Sequence, residues 1–124
     1  MTIKLAVTGA SGFVGQQLLA LAGRERVEAA GIVRSEKGAA GIARLGARAS
    51  VVPRLEAEAL AAALAGAQAV VHLAMIGSER EGQTYEAVNV QGTRAVVEAA
   101  RRAGVPRVVL FSGLGVAHYG MTRR

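Results

Sequence analysis

The stretch VTGASGFVG, residues 7–15, decides the reading of this chain. Glycine recurs at every third position, at Gly9, Gly12 and Gly15. The apolar run IKLAV (3–7) leads into it, and QQLLALAG (16–23), with helix-like spacing, follows. A strand, a glycine-rich turn and a helix in that order bring the free N–H groups and positive dipole end of a helix up to an anion. Gly9 then turns the chain sharply off the strand. Gly12 clears a side chain from where a pyrophosphate approaches the backbone, and Gly15 lets the helix pack close to the sheet. Ser11 adds a hydroxyl donor. The competing reading is a tight turn with no ligand.

Outward from this turn the pattern alternates. Residues 3–8, 27–33, 49–53, 69–74 and 107–112 are apolar almost throughout, as strands covered on both faces are. Between them, residues 13–23, 36–45, 56–65 and 82–103 read as helices. The first carries Val14, Leu18, Leu21 and Ala22 on one face. The third has Leu60 and Leu64 four apart, with Gly66 as its stop. The last and longest has Tyr85, Val88, Gly92, Val96 and Ala99 as its inner stripe, Arg94, Glu98, Arg101 and Arg102 outside, and ends at Gly104 and Pro106. Strands alternating with helices predict an α/β fold, a Rossmann-like doubly wound parallel sheet of order 3-2-1-4-5. Residues 1–124 make one domain. Residues 113–124 are too few to cover the fifth strand, so the fold is expected to be truncated there.

Composition narrows the class. Hydrophobic residues make up 52% of the 124, with two Phe, two Tyr and no Trp, so the core is built from Ala, Val, Leu and Ile. The absence of Cys excludes disulfides, thiolate metal sites and a cysteine nucleophile. No His, Asp or Glu cluster has metal-ligand spacing; Asp is absent altogether. The net charge of +6 comes from arginines spread along the chain without interleaved aromatics, which reads as solvated helix faces and not as a nucleic-acid surface. No apolar run approaches the roughly 18 residues of a membrane span, and the N-terminus lacks a signal-peptide layout. The expectation is a cytoplasmic protein with no membrane or nucleic-acid partner.

The spacing GxxGxxG, in TGASGFVG (8–15), resembles the short-chain dehydrogenase/reductase superfamily in its extended or atypical branch, the NAD(P)-dependent epimerase/dehydratase group. VVHLAM (70–75) is similar to that family's fourth-strand motif, YEAVNVQGT (85–93) to its helix motif, and VPRVVLFSG (105–113) to its fifth strand. The resemblance covers nearly the whole chain. It implies a dinucleotide bound at the sheet's carboxyl edge. Gly9, Ser11, Gly12, Phe13 and Val14 would hold the pyrophosphate, and Leu73, Ala74 and Met75 would line the cofactor's middle.

The second strand ends in GIVRSEKG, with Arg34 at the position that reads the adenosine ribose. A guanidinium there pairs with a 2′-phosphate, whereas an acid favours NAD. Arg34, helped by Lys37 and Arg54, makes NADP the preferred cofactor; Glu36 keeps NAD as the alternative. The family often has an Asp after the third strand, contacting adenine; Pro53 and Arg54 stand here. Gln68 occupies another frequent Asp position, with a structural role expected.

Catalysis in the family uses a Tyr-x-x-x-Lys pair, the Tyr as acid or base and the Lys lowering its pKa. Tyr119 is followed at that spacing by Arg123, which is not equivalent to Lys. Tyr119 matches instead the Tyr-Gly that follows the fifth strand. Ser112 is the one candidate catalytic residue, as a contact for the substrate oxygen, although the family's Ser lies slightly later, where GLG (113–115) stands. Asn89 is expected to brace its helix, His72 to be a packed core residue, and His118 is isolated. The chain is therefore expected to be the N-terminal portion of an oxidoreductase, epimerase or dehydratase acting on a small substrate, such as a nucleotide sugar, with a homodimer as the family's usual assembly. The alternative is a non-catalytic dinucleotide-binding sensor or assembly module; a bare fragment, unstable alone, is a third reading.

Overall fold

The computed structural model describes residues 2–112. Five parallel strands, β1 (Ile3–Thr8), β2 (Val27–Val33), β3 (Arg48–Val51), β4 (Ala69–His72) and β5 (Val108–Leu110), form one sheet of order β3-β2-β1-β4-β5. Helices α1 (Phe13–Arg24), α2 (Glu36–Ala43), α3 (Ala57–Leu64) and α4 (Gln91–Ala103) connect them, and a π-helical turn, Tyr85–Val90, leads into α4. This is the doubly wound sheet that the alternation predicts.

Successive strand residues face opposite sides of a sheet, and two core layers result. Ala6, Ile32 and Val70 pack with Leu60, Leu64, Val96 and Ala99 under α3 and α4. Their neighbours Val7, Val33 and Val71 pack with Leu19 and Ile42 under α1 and α2. The largest of these side chains are Leu and Ile, so the helices lie close on the sheet, and Ile42 sits over Gly31, where a Cβ would leave it no room. Gln68 joins the starts of β1 and β4: its N–H donates to the Lys4 carbonyl and its side-chain oxygen accepts the Lys4 N–H, both at 2.8 Å.

Three expectations need correction. On α1 the sheet-facing residues are Gly15, Leu19 and Ala22, while Val14 and Leu21 are each 47% exposed. The cause is Gly15, whose close approach to the turn backbone fixes the rotation of the helix. The fourth strand ends at His72 and not at residue 74: the Leu73 amide is shared between the Thr8 carbonyl, at 3.3 Å, and the Thr8 hydroxyl, and the Ala74 amide turns to that hydroxyl and leaves the ladder. The long helix starts at Tyr85 and not at residue 82, and its stripe holds only from Gly92 onward. The wider π-helical turn breaks the spacing of threes and fours, so Tyr85 is exposed and Val88 half-buried. Remaining element ends differ from expectation by one or two residues.

α4 ends as its sequence requires. Gly104 adopts φ 70°, and its N–H and that of Val105 return to carbonyls of the last turn. Arg101 and Arg102 both reach Glu98, at 3.3 and 3.1 Å. Hydrogen bonds from these guanidiniums hold the Glu98 carboxyl below its ordinary pKa. At the sheet's edge, Val108, Val109 and Leu110 of β5 remain 37–54% exposed.

Candidate functional site

The three glycines of the turn answer to different constraints. Gly9 has φ 65°, the left-handed region, and a Cβ there would come within 2.7 Å of the Ala74 nitrogen. The turn after β1 and the exit of β4 are thus in direct backbone contact. A Cβ at Gly15 would come within 2.6 Å of the Gly9 and Ala10 carbonyl oxygens. Gly12 differs: its backbone is extended (φ −75°, ψ 177°), and a Cβ would meet only the Gly9 oxygen, at 3.3 Å. The fold demands glycine at positions 9 and 15 and much less at 12. Gly12 is the N-cap of α1 and offers no side chain to the helix's opening amides, which have no intrahelical acceptor. A backbone cradle with a bare cap is the arrangement a pyrophosphate fits.

A cleft of about 880 Å³ opens along the carboxyl ends of the strands. Gly9, Ser11 and Gly12 line it, as do Arg34 at the end of β2 and Leu73, Ala74 and Met75 after β4. These seven expected contacts come together. Phe13 and Val14 do not line it; Phe13 is 82% exposed, and only the amides of these two residues, at the start of α1, are at the turn. The cleft also takes Arg54 and Arg80, against one acid, Glu56. Ser35 caps α2, accepting the Gly38 N–H at 3.2 Å, and Gly38 lies against Ser11, whose hydroxyl would be 3.3 Å from a Cβ there. Ser112 follows β5, is exposed, and is not among the residues lining this cleft. Tyr119, Arg123, His118 and the stretch 113–115 lie outside the described residues.

Behind the cleft is a polar network that the sequence reading missed. Thr8 and His72 are opposite each other in the β1–β4 register and are almost completely buried (0% and 1% exposed). The Thr8 hydroxyl is 2.7 Å from His72 Nδ1 and accepts the N–H groups of Leu73 and Ala74 at 3.0 and 3.2 Å. His72 Nε2 is 3.1 Å from the Thr93 hydroxyl, which donates to the Asn89 carbonyl at 2.6 Å. The Asn89 side chain grips Ile76 by both backbone groups: Oδ1 accepts its N–H at 2.8 Å and Nδ2 donates to its carbonyl at 3.0 Å. The Tyr85 hydroxyl donates to the Gly77 carbonyl. Asn89 thus braces a loop more than its own helix, and His72, packed in the core as expected, is also bonded at both ring nitrogens. Burial lowers its pKa, and no charged side chain contributes. The signal available in the sequence was a lone hydroxyl and a lone imidazole, each closing a strand whose preceding residues are apolar (Leu5–Val7 and Ala69–Val71).

Among the described residues no group of three or more His, Asp or Glu could hold a metal ion, and no helix is long and apolar enough to cross a membrane.

Residues 9–123 match the family model described as NAD(P)H-binding. A ketoreductase of Stigmatella aurantiaca that acts on 4-hydroxy-2-methyl-3-oxo-4-farnesyl-3,4-dihydroquinoline-1-oxide is 34% identical over 86% of this chain and 32% of its own. Sterol demethylase protein B of Methylococcus capsulatus is 36% identical over 88% of this chain and 34% of its own. Among solved structures, a short-chain dehydrogenase/reductase superfamily protein of Agrobacterium tumefaciens with bound NAD is 33% identical, with a TM-score of 0.70 over 86% of this chain and 31% of that one. The chain spans about a third of the length of these curated relatives.

Proposed function

Because the chain belongs to the NAD(P)H-binding proteins of the extended short-chain dehydrogenase/reductase superfamily, we propose that its cleft takes NADP in preference to NAD. The pyrophosphate lies on the amides of Ser11, Gly12, Phe13 and Val14. Leu73, Ala74 and Met75 line the middle of the cofactor. Arg34 meets the 2′-phosphate, assisted by Lys37 and Arg54. The observation that carries this reading is the cleft's charge: Arg34, Arg54 and Arg80 against Glu56 alone, beside a bare glycine cap. NADP brings one more phosphate than NAD to that surface, and guanidinium matches phosphate in two-pronged geometry.

Residues 1–124 are read as the dinucleotide-binding portion of a longer cytoplasmic oxidoreductase, epimerase or dehydratase. The coverage of about a third of each relative supports this. When bound, the nicotinamide supplies hydride transfer. This chain's own part is to bind and orient the dinucleotide, and Ser112 is retained as the candidate contact for a substrate oxygen. The two curated relatives act on chemically different molecules, a quinoline N-oxide and a sterol by their names. The substrate class is therefore kept at a small carbonyl or hydroxyl compound.

The test is isothermal titration with NADPH and NADH, repeated on Arg34→Glu. The expected result is tighter NADPH binding that the substitution abolishes while NADH binding survives. Equal affinities, unmoved by the substitution, would remove Arg34 as the selector.

A further inference from the structure

The hydrogen bonds around His72 fix where its proton sits. A hydroxyl has one proton to donate and two lone pairs to accept with. Thr8 Oγ1 accepts twice, from the Leu73 and Ala74 amides. Its own proton has one remaining direction, toward His72 Nδ1 at 2.7 Å. Nδ1 therefore accepts and carries no hydrogen. The neutral ring then has its proton on Nε2 and donates it to Thr93, whose own proton goes to the Asn89 carbonyl at 2.6 Å. Each member is satisfied in this one direction, and no buried side-chain nitrogen or oxygen among the described residues lacks a partner.

The two ends of this relay hold the same loop. Residues Leu73–Gly77 all line the cleft. Thr8 holds the loop's start by the Leu73 and Ala74 amides, and Asn89 holds its far end by Ile76. The imidazole is the piece that joins the two anchors. We infer that His72, in its Nε2–H tautomer, is a positioning residue for dinucleotide binding, setting the Leu73–Gly77 loop from both ends. This rests on the dinucleotide reading of the cleft. His72 does not line the cleft: its ring bonds Thr93 on the α4 side of the sheet, and it acts through Thr8 and Thr93.

The test has a part that needs no ligand and a part that does. Imidazole nitrogen NMR of the folded chain reads the tautomer directly, with Nδ1 expected bare and Nε2 expected protonated. Thr93→Val then cuts the far link, Thr93→Ser restores it, and His72→Asn keeps an acceptor for Thr8 while losing the donor to Thr93. In Thr93→Val and His72→Asn the Ile76 amide resonance should shift, and in Thr93→Val the Leu73 amide should stay close to its wild-type position. NAD⁺ is the probe for affinity, since it lacks the titrating 2′-phosphate. Its affinity should fall roughly tenfold in Thr93→Val, the scale of one hydrogen bond, and recover in Thr93→Ser. A proton on Nδ1, an unmoved Ile76 amide, or wild-type NAD⁺ affinity in folded Thr93→Val would each overturn the inference. Failure of the wild-type chain to bind NAD⁺ or NADPH would instead sink the dinucleotide reading, and with it the relay's role in binding, whatever the tautomer.

Discussion

Alanine placed in turn at Gly12, Gly15 and Gly9 separates what the fold needs from what a ligand needs. At Gly12 the backbone is extended, so alanine adopts it freely, and the methyl meets one carbonyl oxygen at 3.3 Å. That neighbour has to give by a few tenths of an ångström. Alanine is also a poorer N-cap than glycine, and the sum is a loss of about 0.5–1 kcal/mol. At Gly15 the methyl would sit 2.6 Å from two backbone carbonyl oxygens that belong to the turn itself. Overpacking against atoms that cannot rotate away costs about 2–3 kcal/mol. At Gly9 the left-handed backbone adds roughly 1–2 kcal/mol to a comparable overlap with Leu73 and Ala74. At roughly 4 °C per kcal/mol for a domain of this size, Gly12→Ala should melt within a few degrees of wild type, while Gly15→Ala falls by about 10 °C and Gly9→Ala by about 12–20 °C, or they do not fold. Binding should run in the opposite sense: Gly12→Ala, although stable, should lose at least roughly tenfold in NADPH affinity, because its methyl stands where the pyrophosphate approaches. Circular dichroism melts and isothermal titration on the same preparations read both quantities. A Gly12→Ala variant that binds NADPH like wild type would refute the assignment of that glycine to the ligand. One as unstable as Gly15→Ala would refute the geometry behind it.

Further outcomes follow from the network and the surface. Thr8→Val leaves the Ala74 amide and His72 Nδ1 without their partner and should cost about 2–3 kcal/mol in chemical denaturation, while Thr8→Ser should cost much less. Burial holds the His72 pKa below its ordinary value. As pH falls below about 6.5 the unfolded chain takes up a proton that the native ring does not, so stability should decline with acid until the native pKa is reached. Denaturation midpoints of wild type against His72→Asn check this, and an equally steep acid slope in the variant would assign it elsewhere. Glu98→Gln removes two exposed ion pairs and should leave the melting temperature unchanged within error; a clear drop would contradict the small weight given to them.

The order of strands was legible because each strand is a short apolar run between helical spacings, and the glycine turn marked the first crossover. The cleft followed for the same reason: Gly9, Ser11, Gly12, Arg34 and Leu73–Met75 all sit at carboxyl ends of strands, and the topology alone brings those ends together. Helix faces were less legible. On α1, Val14 and Leu21 are larger and more apolar than Gly15, yet the glycine is buried because close approach, and not hydrophobicity, sets that contact. Tyr85 and Val88 fell off the core stripe because a π-helical turn is invisible to a count of threes and fours. The Thr8–His72–Thr93 relay depends on a register between residues 64 apart, which no local pattern carries.

The central claim is that the glycine turn and the loop after β4 are the two walls of one NAD(P) site. Amide chemical-shift mapping of the chain titrated with NADPH tests it most directly. The account predicts that the largest shifts fall on Ser11–Val14 and Leu73–Gly77, with Arg34 and Ser35 moving more for NADPH than for NADH. Shifts that spare the glycine turn, or that cluster at a surface away from the strands' carboxyl ends, would contradict it.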